Sequence, residues 1–249
     1  MRTHTVDLGS GPEFISLEKD KLMKKRLVTL ALCLAVAVPV FAQGKEDTRL
    51  ANSAEVLKGI MGGDKGLPGN VLDQADCILV FPSVKKVAIG IGGSYGRGAL
   101  VCRTGADKNG KWGAPAMYKL DQGSIGVQLG STATDFVLVI MNNKGAEQIL
   151  NGKTKLGANA AAAAGPTGAA ANGYNAQSMK VDVLTYSRSK GLFAGVSLEG
   201  ASMDSDDDAN KALYGKAISA NAIVDGGAAV PSAAQQLVGF LDSTSPARK

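Results

Sequence analysis

Between residues 47 and 61 the apolar positions Leu50, Ala54, Leu57 and Met61 recur at steps of four, three and four, the stripe of an amphipathic helix. Gly62-Gly63 ends it. Its charges balance, Arg49 and Lys58 against Asp47 and Glu55, so it reads as a helix packed on its own domain rather than one lying on a membrane. Pro68 opens a second short helical stretch through Ala75, and Cys77 to Phe81 is an unbroken apolar run closed by Pro82, which predicts a buried strand. Val87, Ile89 and Ile91 then alternate with Ala88, Gly90 and Gly92, and Gly93-Ser94-Tyr95-Gly96 leads into a strand from Gly98 to Arg103. This pattern predicts a glycine-rich hairpin.

Further on, Lys108-Asn109-Gly110 reads as a turn, and Trp112–Leu120, Ser124–Leu129 and Phe136–Met141 as strands. The last is apolar without alternation, as in a strand covered on both faces. Asn142-Asn143 can cap a short helix through Leu150. Gly157 to Ala176, rich in Ala, Gly and Asn, fits either a loop or closely packed strands. Val181–Tyr186 and Leu192–Leu198 form a second expected hairpin with Arg188 and Lys190 at its tip, and Asp206–Lys216 and Ser232–Leu241 read as closing helices. Together these elements predict an α+β domain: a strongly bent antiparallel sheet, barrel-like, packed by N-terminal and C-terminal helices.

Export signals change how much of the chain belongs to that domain. From Met23 the sequence runs through Lys24, Lys25 and Arg26 into an apolar stretch from Leu27 to Val38, then Pro39-Val40-Phe41-Ala42. That is the layout of a signal peptide, with cleavage expected after Ala42. Residues 1–22 read as a misassigned start or an added extension, and the lipoprotein alternative, acylation of Cys33, is opposed by Leu32 where a small residue is expected. The expected mature chain, 43–249, is a single periplasmic or secreted domain, with peripheral membrane association. Taking six basic and four acidic residues in 1–42 from totals of 27 and 22 leaves 21 against 18. So mild an excess suits anionic lipid and does not call for nucleic acid.

The only histidine, His4, falls in the expected leader. Without imidazole, Ser-His-Asp and Cys-His catalysis and the common zinc sites are excluded, and no cofactor is implied. Cys77 and Cys102 remain, either bridged in an oxidising compartment or buried as separate thiols. Ser187 and Lys190 match the S-x-x-K spacing of penicillin-recognising serine enzymes, but that serine should open a helix and here Gly191 follows at once. Asp204, Asp206 and Asp208 alternate like a calcium loop, yet Ala209 and Gly215 stand where Gly and Glu are required. Gly90, Gly92, Gly93, Gly96 and Gly98 invite a dinucleotide fingerprint that Tyr95 breaks at its sixth position; these glycines instead predict close approach of another backbone or side-chain layer to one sheet face. Trp112 reads as core or hairpin packing. What remains is cationic turns carrying Lys85, Lys86, Arg97, Arg103, Lys108, Lys111, Arg188 and Lys190.

Tyr186 to Gly200, YSRSKGLFAGVSLEG, resembles the signature of the SYLF-domain family, found in yeast actin-patch proteins, plant FYVE-domain proteins and bacterial exported proteins. Supporting stretches follow the family's order: ADCILVFPSVKK from Ala75, the glycine-rich segment through Arg103, KWGAPA from Lys111, GVQLGSTATD from Gly126 and AGPTG from Ala164. The resemblance covers roughly residues 47 to 220. It implies a non-enzymatic lipid-binding module that holds anionic phospholipid or phosphoinositide-like head groups. Arg188 and Lys190 are its main candidates, Lys85, Lys86, Arg97 and Arg103 the weaker ones, and Leu192 and Phe193 either shallow insertion or plain core. Eukaryotic members also bind actin, so the alternative is an envelope structural or adaptor protein that binds another protein.

Overall fold

The computed structural model describes residues 44–63, 66–167, 181–189, 192–193, 198 and 200–248, with the backbone alone at 87–91, 124–131 and 192–193. Gln43–Lys249 forms one compact unit; the expected signal segment lies outside the described residues. Helix α1, Lys45–Met61, buries Leu50, Ala54, Leu57 and Ile60, with Glu46 and Asp47 in its first turn and Lys58 in its last, the polarity the helix dipole favours. A short α2, Gly69–Asp73, follows. Two long strands, β1 (Cys77–Cys102) and β2 (Ala116–Ile140), then pair antiparallel over their whole length as one ribbon.

That ribbon doubles back on itself. Gly98 lies so close to Val80 that an added Cβ would meet its carbonyl oxygen at 2.2 Å, and a Cβ on Gly96 would meet the Val84 side chain at 2.8 Å. Cys77 and Cys102, at the two ends of β1, are joined by a disulfide with their Cα atoms 3.9 Å apart. Of the two readings of these cysteines, the structure therefore takes the bridge. The two limbs of β1 run antiparallel to each other, and at Gly96 and Gly98 the approach leaves no room for a Cβ.

The far edge of β2 is shared. Residues 118–121 pair with β7 (Ser202–Ser205), and 134–140 pair with β5 (Val183–Ser189). β3 (Thr154–Lys155) adds to β7, β4 (Ala162–Ala164) lies parallel to β5, and β6 (Leu192–Phe193) closes a hairpin on β5. The result is a curled half-barrel, antiparallel except at β4, with flanking helices, an α+β fold. Helix α3, Asn143–Leu150, is capped by Asn142, whose Oδ1 accepts from the Gly145 N–H at 2.8 Å. Helix α4, Asp207–Tyr214, and helix α5, Gln235–Thr244, close the chain.

Over Cys77–Phe81 and Phe136–Ile140 both faces of the sheet are buried, which explains the unbroken apolar runs. Ile78, Val80, Val137 and Val139 pack with α1 and α5 residues such as Leu57 and Leu237, while Leu79, Phe81, Leu138 and Ile140 pack with Ile149, Met203 and Ile223 on the other side. The expected hairpin over 87–103 does not form. Glycines there let β1 fold back without its limbs pairing as a ladder, and among the described pairings its partner is β2, across the Lys108-Asn109-Gly110 turn, where Lys108 takes a φ of 51°. For the same reason the three strands expected between Trp112 and Met141 are one.

Candidate functional site

Helix α1 crosses β1 so that Lys45, Thr48, Arg49 and Asn52 face Pro82, Ser83, Lys85, Tyr95, Gly96 and Arg97 across a cleft of about 300 Å3. The i, i+4, i+7 spacing of Lys45, Arg49 and Asn52 puts them on one helical face. The doubled ribbon brings Lys85 and Arg97, twelve residues apart in sequence, to the same wall. Lys45 and Lys85 are exposed, the Arg97 side chain is half exposed, and Tyr95, 52% exposed, is the large apolar side chain most open to solvent among the described residues.

One carboxylate organises the floor. Asp206 Oδ2 lies 3.4 Å from Arg97 Nε and 3.6 Å from Arg49 Nη1. Burial lowers the Arg49 pKa, opposed by Asp206 and Glu46 and assisted by the like charge of Arg97. Arg49 Nη1 has no hydrogen-bond partner. Asp206, and Glu46 through its charge on Arg49, oppose the four cations Lys45, Arg49, Lys85 and Arg97 and leave the cleft net positive; Arg49 is the positioned, largely buried charge and Lys45, Lys85 and Arg97 are accessible to an anion.

The structure separates the other sequence candidates. Arg188 does not project from a hairpin tip: it sits within β5, donates from Nη2 to Asp135 Oδ2 at 3.2 Å, and lies against Gly59 of α1. Asp135 Oδ1 also accepts from the Ser83 N–H at 2.9 Å. Arg103 is fully buried and cannot reach a head group; its guanidinium donates to the carbonyls of Ala75, Gly110, Ser245 and Pro246 and stacks 4.4 Å from the Trp112 ring. Lys86 is half exposed beside Lys85. Lys190 lies outside the described residues, as do the side chains of Leu192 and Phe193.

Lys45, Arg49 and Tyr95 were missed by sequence reasoning. The helical spacing of the first two was visible, but which strand they would face was not.

Ser187 stands in mid-strand opposite Phe136, 7% exposed, rather than at a helix start, which removes the Ser-Lys arrangement. Asp204 pairs with Lys119 at 3.8 Å and Asp206 with the two arginines, so two of the three alternating aspartates are held in ion pairs. No group of three or more metal-ligating side chains occurs among the described residues, and no described helix is long and apolar enough to cross a membrane. A larger cleft of about 440 Å3 sets Lys108 against Glu147 and Asp225; with one cation against two carboxylates it offers an anion nothing comparable.

Fold and cleft together define an α+β domain with a cationic cleft. The family model Ysc84, described as Las17-binding protein actin regulator, matches residues 121–244. An SH3 domain-containing protein of Schizosaccharomyces pombe is 37% identical over 74% of this chain and 42% of its own length. Protein YSC84 of Saccharomyces cerevisiae is 32% identical over 82% of the chain and 44% of its own, and the human SH3 domain-containing YSC84-like protein 1 is 30% identical over 81% and 58%. The chain belongs to this SYLF-domain family. It spans about half the length of these curated relatives.

Proposed function

We propose that this chain is a non-enzymatic lipid-binding module of the cell envelope that docks on anionic phospholipid. The observation that carries the reading is the cleft where Lys45, Lys85 and Arg97 converge beside Tyr95, with Arg49 held beneath them by Asp206. Each cation near an anionic bilayer contributes about 1 kcal/mol, so three or four acting together suffice for salt-sensitive attachment. The expected export past Ala42 would place the domain in the periplasm or outside the cell. A second reading, an adaptor that binds a protein, is favoured by the family's description as Las17-binding and by the actin-regulator part of the same name.

Sedimentation of residues 43–249 with neutral and anionic vesicles, at low and high salt, tests the proposal. Retention on anionic vesicles only, released by salt and reduced about tenfold or more by Lys85→Ala/Arg97→Ala, supports it, since two lost cations are worth about 2 kcal/mol. No retention on any vesicle would falsify the lipid reading and leave the adaptor.

A further inference from the structure

The larger cleft, about 440 Å3, has walls of a different chemistry from the cationic one. Its volume falls in the range of sites that hold small organic ligands. One wall is helix α3, where Asn143, Glu147 and the C-cap Asn151 recur at steps of four on a single face. A second is a π-helical turn, Ile223–Gly227, which brings Asp225 to the cleft. The third is the turn between β1 and β2, which contributes Lys108. Glu147 and Asp225 are both exposed, and the Asn143 amide donates to Glu147 Oε1 at 3.0 Å, which orients that carboxylate.

Lys108 is the informative member of the set. It lines the cleft yet is only 8% exposed, and an ammonium taken out of water is costly unless it is paired. Among the described residues no ion pair or side-chain hydrogen bond holds it. Its charge is felt by Asp76, whose Oδ1 is already bonded to Arg248 at 3.0 Å. The cleft therefore sets one largely buried cation against two accessible carboxylates. A simple anion is repelled by Glu147 and Asp225, and a simple cation leaves Lys108 unmatched. A molecule with one carboxylate and two ammonium groups matches all three charges. We propose that this cleft binds a small diamino carboxylic acid of about the size of lysine, its carboxylate on Lys108 and its ammonium groups on Glu147 and Asp225. Ala146, Leu150 and Val224 line the same cleft and give the methylene chain between the ammonium groups an apolar surface to lie on. The two clefts share no lining residue, so this site stands apart from the lipid reading.

Isothermal titration of the purified protein with L-lysine tests the proposal. Norleucine, which lacks the side-chain ammonium, and cadaverine, which lacks the carboxylate, are the controls. Saturable binding of L-lysine with a Kd of about 1 mM or below, and binding of both controls about tenfold weaker or worse, supports it, since each control loses one charge-assisted contact. Lys108→Met keeps the stem and removes the charge. It should weaken L-lysine about tenfold or more without weakening cadaverine. Asp225→Asn, at an exposed position, should weaken both L-lysine and cadaverine, and it decides the matter with the ligand controls if Lys108→Met folds poorly. Absence of saturable L-lysine binding overturns the proposal. Equal affinity for all three compounds, or L-lysine binding unchanged in both variants, overturns it as well.

Discussion

Asp182 shows how one side chain can fix the junction of three elements. Its Oδ2 accepts from the Ala161 N–H at 3.0 Å and from Lys144 Nζ at 3.1 Å, and its Oδ1 from the Asn142 amide at 3.2 Å. These bonds tie the start of β5 to the cap of α3 and the approach to β4. Burial alone would raise the carboxyl pKa, but the Ala161 N–H, Lys144 and Asn142 together hold it below the usual value. A depressed folded-state pKa contributes stability above the unfolded value, near 4, that is lost as pH falls through the folded one. Asp182→Asn should therefore lower the melting temperature at pH 7, and the gap to the parent should shrink as pH drops below about 4. Thermal melts between pH 7 and pH 3 check this; a constant gap means the carboxylate acts through shape rather than charge.

Among the elements, the ribbon dominates both stability and legibility. Its disulfide closes a separation of 25 residues, worth about 3 kcal/mol in the chain-entropy picture. Cys77→Ala/Cys102→Ala should accordingly lower the melting temperature by about 6–12 °C for a domain of this size, with the parent falling to the same value under reductant. A melt unmoved by either treatment would show that apolar packing alone holds the limbs together. Helix α1, the Asn142 cap and the doubly covered strands were readable because each is written in local spacing. Glycine close packing was readable too, at Gly96 and Gly98. The continuity of β1 and β2 was not, since glycine permits a bend and a turn equally, and only the distant partner strand decides between them. The site suffered from the same gap. Lys85 and Arg97 stood out as cations, but nothing local separated them from Arg103, whose guanidinium is buried by a segment more than 140 residues away.

That long-range burial is what unites the molecule. Arg103 Nη2 donates to Ser245 Oγ at 2.6 Å and to the Ser245 carbonyl at 3.2 Å, and Nη1 to the Pro246 carbonyl at 2.8 Å. Ser245 Oγ in turn bonds Asp73 Oδ1, the Trp112 indole donates to the Ser245 carbonyl, and Arg248 reaches Asp76 Oδ1 at 3.0 Å. The connection into β1, the β1–β2 turn and the C-terminal residues thus meet on one guanidinium. Burial lowers the Arg103 pKa, as does the like charge of Arg248, while Asp73, Asp242 and Asp76 act against both. A lysine carries the same charge but a single ammonium, and it cannot serve five acceptors fixed in the plane of a guanidinium. Arg103→Lys should therefore destabilise the fold by about 3 kcal/mol, and amide exchange at residues 245–248 should accelerate more than exchange in α1. Because Arg103 lies away from the cleft lining, vesicle binding by the folded variant at low temperature should stay at the parent level. A variant that keeps its melting temperature but loses vesicle binding would put Arg103 back among the head-group ligands, against its complete burial.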